Sequence, residues 1–64
     1  MALRAVKRID HDEYLIYNQD QELTHTMKRD PARKGEWVLR TVDEVEIDAD
    51  RYRHDLFQRR GIAY

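Results

Sequence analysis

Covalent catalysis needs a serine, cysteine or threonine beside a base, or a lysine whose pKa is depressed. This 64-residue chain has no serine and no cysteine. Its threonines, Thr24, Thr26 and Thr41, stand in no nucleophile motif. Lys7, Lys28 and Lys34 occur among other charges, where hydration keeps an amine protonated. Gly35 and Gly61 are the only glycines, so a glycine-rich loop able to cradle phosphate is missing too. The residue types for most mechanisms are absent, and the expectation is a protein without enzymatic activity and without a cofactor.

Metal chemistry has little more to build on. His11 lies between Asp10 and the pair Asp12 and Glu13, and His54 precedes Asp55. Adjacent residues of an extended chain point to opposite faces, and no two histidines have the i, i+4 spacing of a helical metal site. Glu44, Glu46, Asp48 and Asp50 would share one face of an extended segment and attract a hard cation only loosely. These stretches read as solvated acidic surface, not as a metal site. His25, central in its segment, reads as a packed or edge histidine.

Two binding chemistries remain. Lys28, Arg29, Arg33, Lys34 and Arg40 surround Trp37 in sequence, and a basic loop beside an aromatic ring is what phosphate neutralisation with base stacking requires. Against this, a lone tryptophan in so small a chain is a natural core residue, and a pI near 6.3 opposes binding to a polyanion. Protein binding asks for less. Nine arginines against three lysines, with Tyr14, Tyr17, Tyr52 and Tyr64, supply the residue types of interface hot spots, and a short sheet leaves unpaired edges. The first expectation is therefore an interaction or regulatory module that binds a protein partner or a second copy of itself. The second is a small nucleic-acid-binding protein that uses the basic loop, with Trp37 stacking.

Periodicity defines the elements that must position these residues. Tyr14 to Tyr17 is aromatic and β-branched and reads as a strand; Asn18, Gln19 and Asp20 follow as a turn. Glu22 to Lys28 sets Leu23, His25 and Met27 on one side and Thr24 and Thr26 on the other, a half-buried strand that completes a hairpin. Asp30, Pro31 and Gly35 bracket the basic loop. From Glu36 the chain is extended again, with Trp37 and Leu39 on one face and Val38 and Arg40 on the other. Ala2 to Ile9 repeats Leu3, Val6 and Ile9 at every third position and is read as a further strand, because an isolated helix this short is marginal in water.

Residues 41–61 admit two readings. A single helix could open on a capping box of Thr41 with Glu44. Alternatively, Val45, Ile47 and Ala49 alternate with acidic residues in a strand, and the helix begins near Asp48. The like-charge pairs Glu44 with Asp48 and Glu46 with Asp50 disfavour the first. Asp48 at the N-cap, Arg59 and Arg60 in the last turn and Gly61 just beyond favour the second. Its buried stripe would be Ala49, Tyr52 or Arg53, Leu56 and Phe57. The apolar tail Ile62, Ala63, Tyr64 would fold back on the core, pair as a strand or dock on a second copy.

At 7.8 kDa there is room for one core. The expected architecture is thus one α+β domain over residues 1–64, a small antiparallel meander of three to four strands followed by one C-terminal helix packed on one face. The charged share of 39% is matched by a hydrophobic share of 41%, which favours folding over disorder. The charges come in blocks, net +3 over residues 1–8, −5 over 9–22, +3 over 23–40, −5 over 41–50 and +3 thereafter. Such blocks either cancel on folding or leave a dipolar surface. The longest apolar run, Tyr14 to Tyr17, falls far short of the roughly 20 residues that cross a bilayer, so no membrane partner is expected. The absence of cysteine fits a reducing compartment, and the expected location is the cytoplasm.

Overall fold

A computed structural model describes residues 2–8 and 12–64. The chain forms strands β1 (Leu3–Lys7), β2 (Glu13–Tyr17), β3 (Leu23–Asp30), β4 (Glu36–Thr41) and β5 (Glu46–Asp50), then helix α1 (Arg53–Arg60), then the short strand β6 (Ile62–Ala63). The strands make one sheet in the order β5-β4-β3-β2-β1-β6. Strands β1 to β5 are a meander of antiparallel neighbours, whereas β6 runs parallel to β1 and closes the other side. The α+β class and the single C-terminal helix agree with expectation, but the sheet has six strands where three to four were expected. The N-terminal strand is β1; Ile9 lies outside the described residues, as do Asp10 and His11.

The connections β2–β3, β3–β4 and β4–β5 are each held by their own polar chemistry. The Asn18 carboxamide oxygen accepts from the backbone N–H groups of Asp20 and Glu22 at 2.9 and 3.0 Å, an Asx turn that reverses the chain between β2 and β3. Asp30 accepts from the Ala32 N–H at 2.9 Å ahead of a 3-10 turn over Pro31–Arg33, and Lys34 and Gly35 then take positive φ to return into β4. Thr41, the residue of the would-be capping box, instead closes the β4–β5 turn. Its N–H donates to the Val45 carbonyl at 2.9 Å, and its hydroxyl accepts from the Val45 N–H at 3.3 Å.

The helix begins later than expected, at Arg53, with Tyr52 as an N-cap that offers no side-chain hydrogen bond. Asp48 is not a cap: it stays in β5, and its carboxylate faces the far end of the helix. Gly61, at φ 65°, ends the helix as expected, since a left-handed residue costs glycine no Cβ clash. Of the expected stripe Leu56 and Phe57 are buried, while Tyr52 is exposed and Ala49 belongs to β5.

Connectivity forces the sheet to curl. Laid flat, β5 and β6 would stand five strand spacings apart, about 24 Å, whereas an eight-residue helix is only about 12 Å long. The helix nevertheless reaches both, because Arg59 and Arg60 bond to β5 while Ile62, two residues on, pairs with β1. The sheet therefore wraps round the helix. Its concave face supplies Ala5, Tyr14, Ile16, Met27, Trp37 and Leu39 to a core completed by Leu56, Phe57 and Ile62. Tyr14 meets Trp37 and Phe57 edge to face, at ring separations of 5.7 and 5.2 Å, and Tyr64 folds back onto Phe57 at 4.5 Å. No helix among the described residues is long and apolar enough to cross a membrane.

Candidate functional site

Strand alternation divides the six residues of the expected binding surface instead of gathering them. Trp37 lies opposite Arg29 across the β3–β4 pair, and Lys28 lies opposite Val38, so neighbours in sequence leave for opposite faces. Trp37 is 8% exposed and belongs to the concave core. A stacking role for its ring is thereby corrected: the core of a small curled sheet is short of apolar volume, and burying the indole against Tyr14 is worth more than presenting it to solvent.

Two of the arginines are engaged in ion pairs. Arg29 meets the Asp12 carboxylate at 3.6 Å and lies against Gly35. Arg33 reaches from the β3–β4 turn to Glu46 at 3.0 Å and to Glu36 at 3.8 Å, and the hydrogen bond and charge of Glu46 raise its pKa. This pair joins the turn to the start of β5 across β4, on the face where Val38 is fully buried. Lys34 sits at the exposed turn with φ 60°. Lys28 and Arg40 lie together on the convex face, where with Arg29, Thr26, Glu13, Asp30 and Glu44 they border a groove of about 510 Å³.

That convex face also holds residues outside the expected set. Register places Val6 opposite Leu15, Leu15 opposite Thr26 and Thr26 opposite Arg40, a row across four strands; Arg4 lies opposite Tyr17 in the next row. Val6 is 47% exposed, and Leu15 and Tyr17 are half-buried. Arg4, Val6, Tyr17, Asn18, Gln19 and Gln21 line a second groove of about 560 Å³. The sequence carries a signal for this surface: Tyr14 to Tyr17 is apolar at four consecutive positions, so two apolar side chains face outward whichever face is buried.

The edge of β5 is a different matter. The outward carbonyls of Ile47 and Ala49 accept from Arg60 and Arg59 at 3.2 and 3.5 Å, and the Ala49 N–H donates to Asp48 at 2.8 Å. Asp48 in turn accepts from Arg59 at 3.1 Å and from Arg60 at 3.0 Å. These bonds, led by the one from Arg59, hold the Asp48 carboxyl down at about 2. Asp50 is also lowered, first by the Tyr52 N–H and then by Arg59. An exposed strand edge invites pairing with another chain; here arginine side chains already occupy it.

Among the described residues no group of three or more histidine and carboxylate side chains could hold a metal ion. His25 is half-buried on the concave side, its Nδ1 2.8 Å from the Thr24 hydroxyl. Burial, and then the charge of Arg60, keep it below its ordinary 6.5. These contacts fit a packed histidine. The class defined by this geometry is a small, mostly antiparallel curled sheet, plugged by one helix, whose convex face is covered at Val38 and, among the described residues, exposed at Val6. No protein-family model, curated protein or solved structure matches the chain.

Proposed function

We propose that this protein is a non-enzymatic interaction module that binds a protein partner through the convex face of its sheet. One observation carries this: over β1 to β3 the convex face presents the half-exposed Val6 with Leu15 and Tyr17 beside Arg4 and Lys28. The concave face is filled by the helix and the β5 edge by arginines, so neither offers a docking surface. Apolar and aromatic area flanked by arginine is the composition of interface hot spots. Nucleic-acid binding keeps the groove bordered by Lys28, Arg29 and Arg40 but loses the stacking platform that Trp37 would have provided.

The test is capture from a cell lysate with the tagged protein and with a Val6→Asp variant, each with and without nuclease. Val6 is half-exposed, so the change leaves the core intact. Protein binding predicts a partner that survives nuclease and is lost with Val6→Asp. Capture that disappears with nuclease, or that ignores the substitution, refutes it.

A further inference from the structure

We propose that the groove between β1 and the β2–β3 turn is a binding site for a small aromatic carboxylate. The groove shares Val6 and Tyr17 with the protein-binding face proposed above but has walls of its own. Its volume of about 560 Å³ falls within the roughly 300–1,000 Å³ of small-molecule sites, which combine a mostly apolar lining with a few polar groups that fix orientation. Val6 and the half-buried Tyr17 give it an apolar and aromatic floor, and Arg4 lies directly opposite Tyr17 in the β1–β2 register, on the same face. Opposed side chains of antiparallel strands stand about 5 Å apart at Cβ. A planar ring laid against the phenol thus brings a carboxylate close to that ring within reach of the guanidinium, which takes it by paired hydrogen bonds.

The lining sets the sign of the ligand. Among the described residues the groove is bordered by one cation, Arg4, by the carboxamides of Asn18, Gln19 and Gln21, and by no carboxylate. The groove over β3 and β4 differs, because Glu13, Asp30 and Glu44 border it together with Lys28, Arg29 and Arg40. A ligand carboxylate there would meet acidic groups; beside Arg4 it meets a guanidinium and neutral amides. Asp20 and Glu22 belong to the same turn but do not border the groove, and the Glu22 carboxylate accepts from the Asn18 carboxamide nitrogen at 3.1 Å. The turn that forms the wall is also held in place by its own bonds. The Asn18 side-chain oxygen accepts from the Asp20 and Glu22 N–H groups, its backbone N–H donates to the Glu22 carbonyl at 3.0 Å, and its carbonyl accepts from the Gln21 N–H at 3.1 Å. A wall fixed in advance spares a ligand the entropy of ordering it.

The test is an NMR titration of the ¹⁵N-labelled protein with indole-3-acetate, with tryptamine, which carries the same ring and a cation, and with glutarate, which has carboxylates and no ring. Indole-3-acetate is expected to shift the amides of Arg4, Val6, Tyr17, Asn18, Gln19 and Gln21 above all others, and to bind about tenfold more tightly than either control. Arg4→Gln should weaken it about tenfold; Arg4 is exposed, so the change leaves the core intact. Tryptamine that binds as well overturns the anionic ligand, and glutarate that binds as well overturns the aromatic one. Shifts that fall elsewhere, or none at millimolar ligand, overturn the site. A glycine-rich peptide ending in tryptophan is the remaining arm: if it binds more tightly than indole-3-acetate, the ligand is the C-terminus of a protein and the small-molecule site is overturned. Capture of a partner from lysate bears on the protein-binding proposal alone, so either can fail without the other.

Discussion

Replacing Asp48 by Asn isolates the clamp that joins the helix to the edge of the sheet. The asparagine can still accept from the Ala49 N–H, but it loses the charged hydrogen bonds from Arg59 and Arg60. In the folded chain the Asp48 carboxyl is lowered from 3.8 to about 2. At about 1.4 kcal/mol for each tenfold change in proton affinity, this sets a ceiling of roughly 2 kcal/mol. Arg59 and Arg60 are 47% and 40% exposed, and screening by water brings the expected loss to about 1 kcal/mol. For a domain of this size that is a fall in Tm of about 4–8 °C. Because the folded pKa lies below the unfolded one, the contribution is complete above about pH 4 and is lost as pH falls through about 2. His25, lowered first by burial and then by the charge of Arg60, also makes the fold less stable below its ordinary 6.5; its larger cause, burial, is the same in both proteins and cancels from the difference. Urea unfolding followed by circular dichroism should show a gap of about 1 kcal/mol at pH 7 that closes near pH 2. An equal gap at both pH values, or none at pH 7, would refute the clamp.

Three further outcomes follow from the packing. Trp37 fluorescence should be blue-shifted, resist quenching by iodide and stay unchanged when oligonucleotide is added, because the ring is 8% exposed; a solvent-like emission maximum would return it to the surface. Gly61→Ala should cost about 1 kcal/mol by thermal denaturation, and Gly61→Asn less, since φ is 65° and no atom stands within 4 Å of an added Cβ, leaving backbone strain as the only cost. Equal stability of all three proteins would count against the left-handed cap. Arg59→Ala combined with Arg60→Ala should free the Ile47 and Ala49 carbonyls and promote association, seen by light scattering as mass growing with concentration; a variant that stays at the mass of the parent would show that the arginines do not guard the edge.

Strands β2 to β4 were legible because their signals are local. Alternation through Leu23, Thr24, His25, Thr26 and Met27, and the break at Pro31, need no knowledge of distant parts of the chain. The division of Trp37 and Leu39 from Val38 and Arg40 was legible for the same reason. The end of β5 and the start of the helix were not. Asp48, Arg59 and Arg60 are the residue types that suit the two ends of one helix dipole, and they equally suit a direct ion pair between helix and strand; only the tertiary fold chooses. Strand pairing by the apolar tail was legible only as one of three fates; β6 has two residues and pairs in parallel with the opposite end of the chain, a non-local contact that no periodicity singles out. The candidate site dispersed by the same alternation that made the strands readable, since a basic cluster that is contiguous in sequence is split between faces as soon as it becomes extended.

The charge blocks show how far neutralisation goes and where it stops. The acidic block over 41–50 draws a cation from each side, Arg33 from the block before it to Glu46 and Arg59 and Arg60 from the block after it to Asp48 and Asp50. In the other acidic block Glu13 takes Arg8 and Asp12 takes Arg29. These pairs lie at turns, strand ends and the helix. On the convex face, among the described residues, Lys28 and Arg40 make no ion pair within 4 Å, yet register sets Glu13 opposite Lys28 and Glu46 opposite Arg40, and Asp30 and Glu44 border the same groove. That face is balanced as a patch and not pair by pair, and the alternating blocks of a chain with net charge −1 largely cancel on folding.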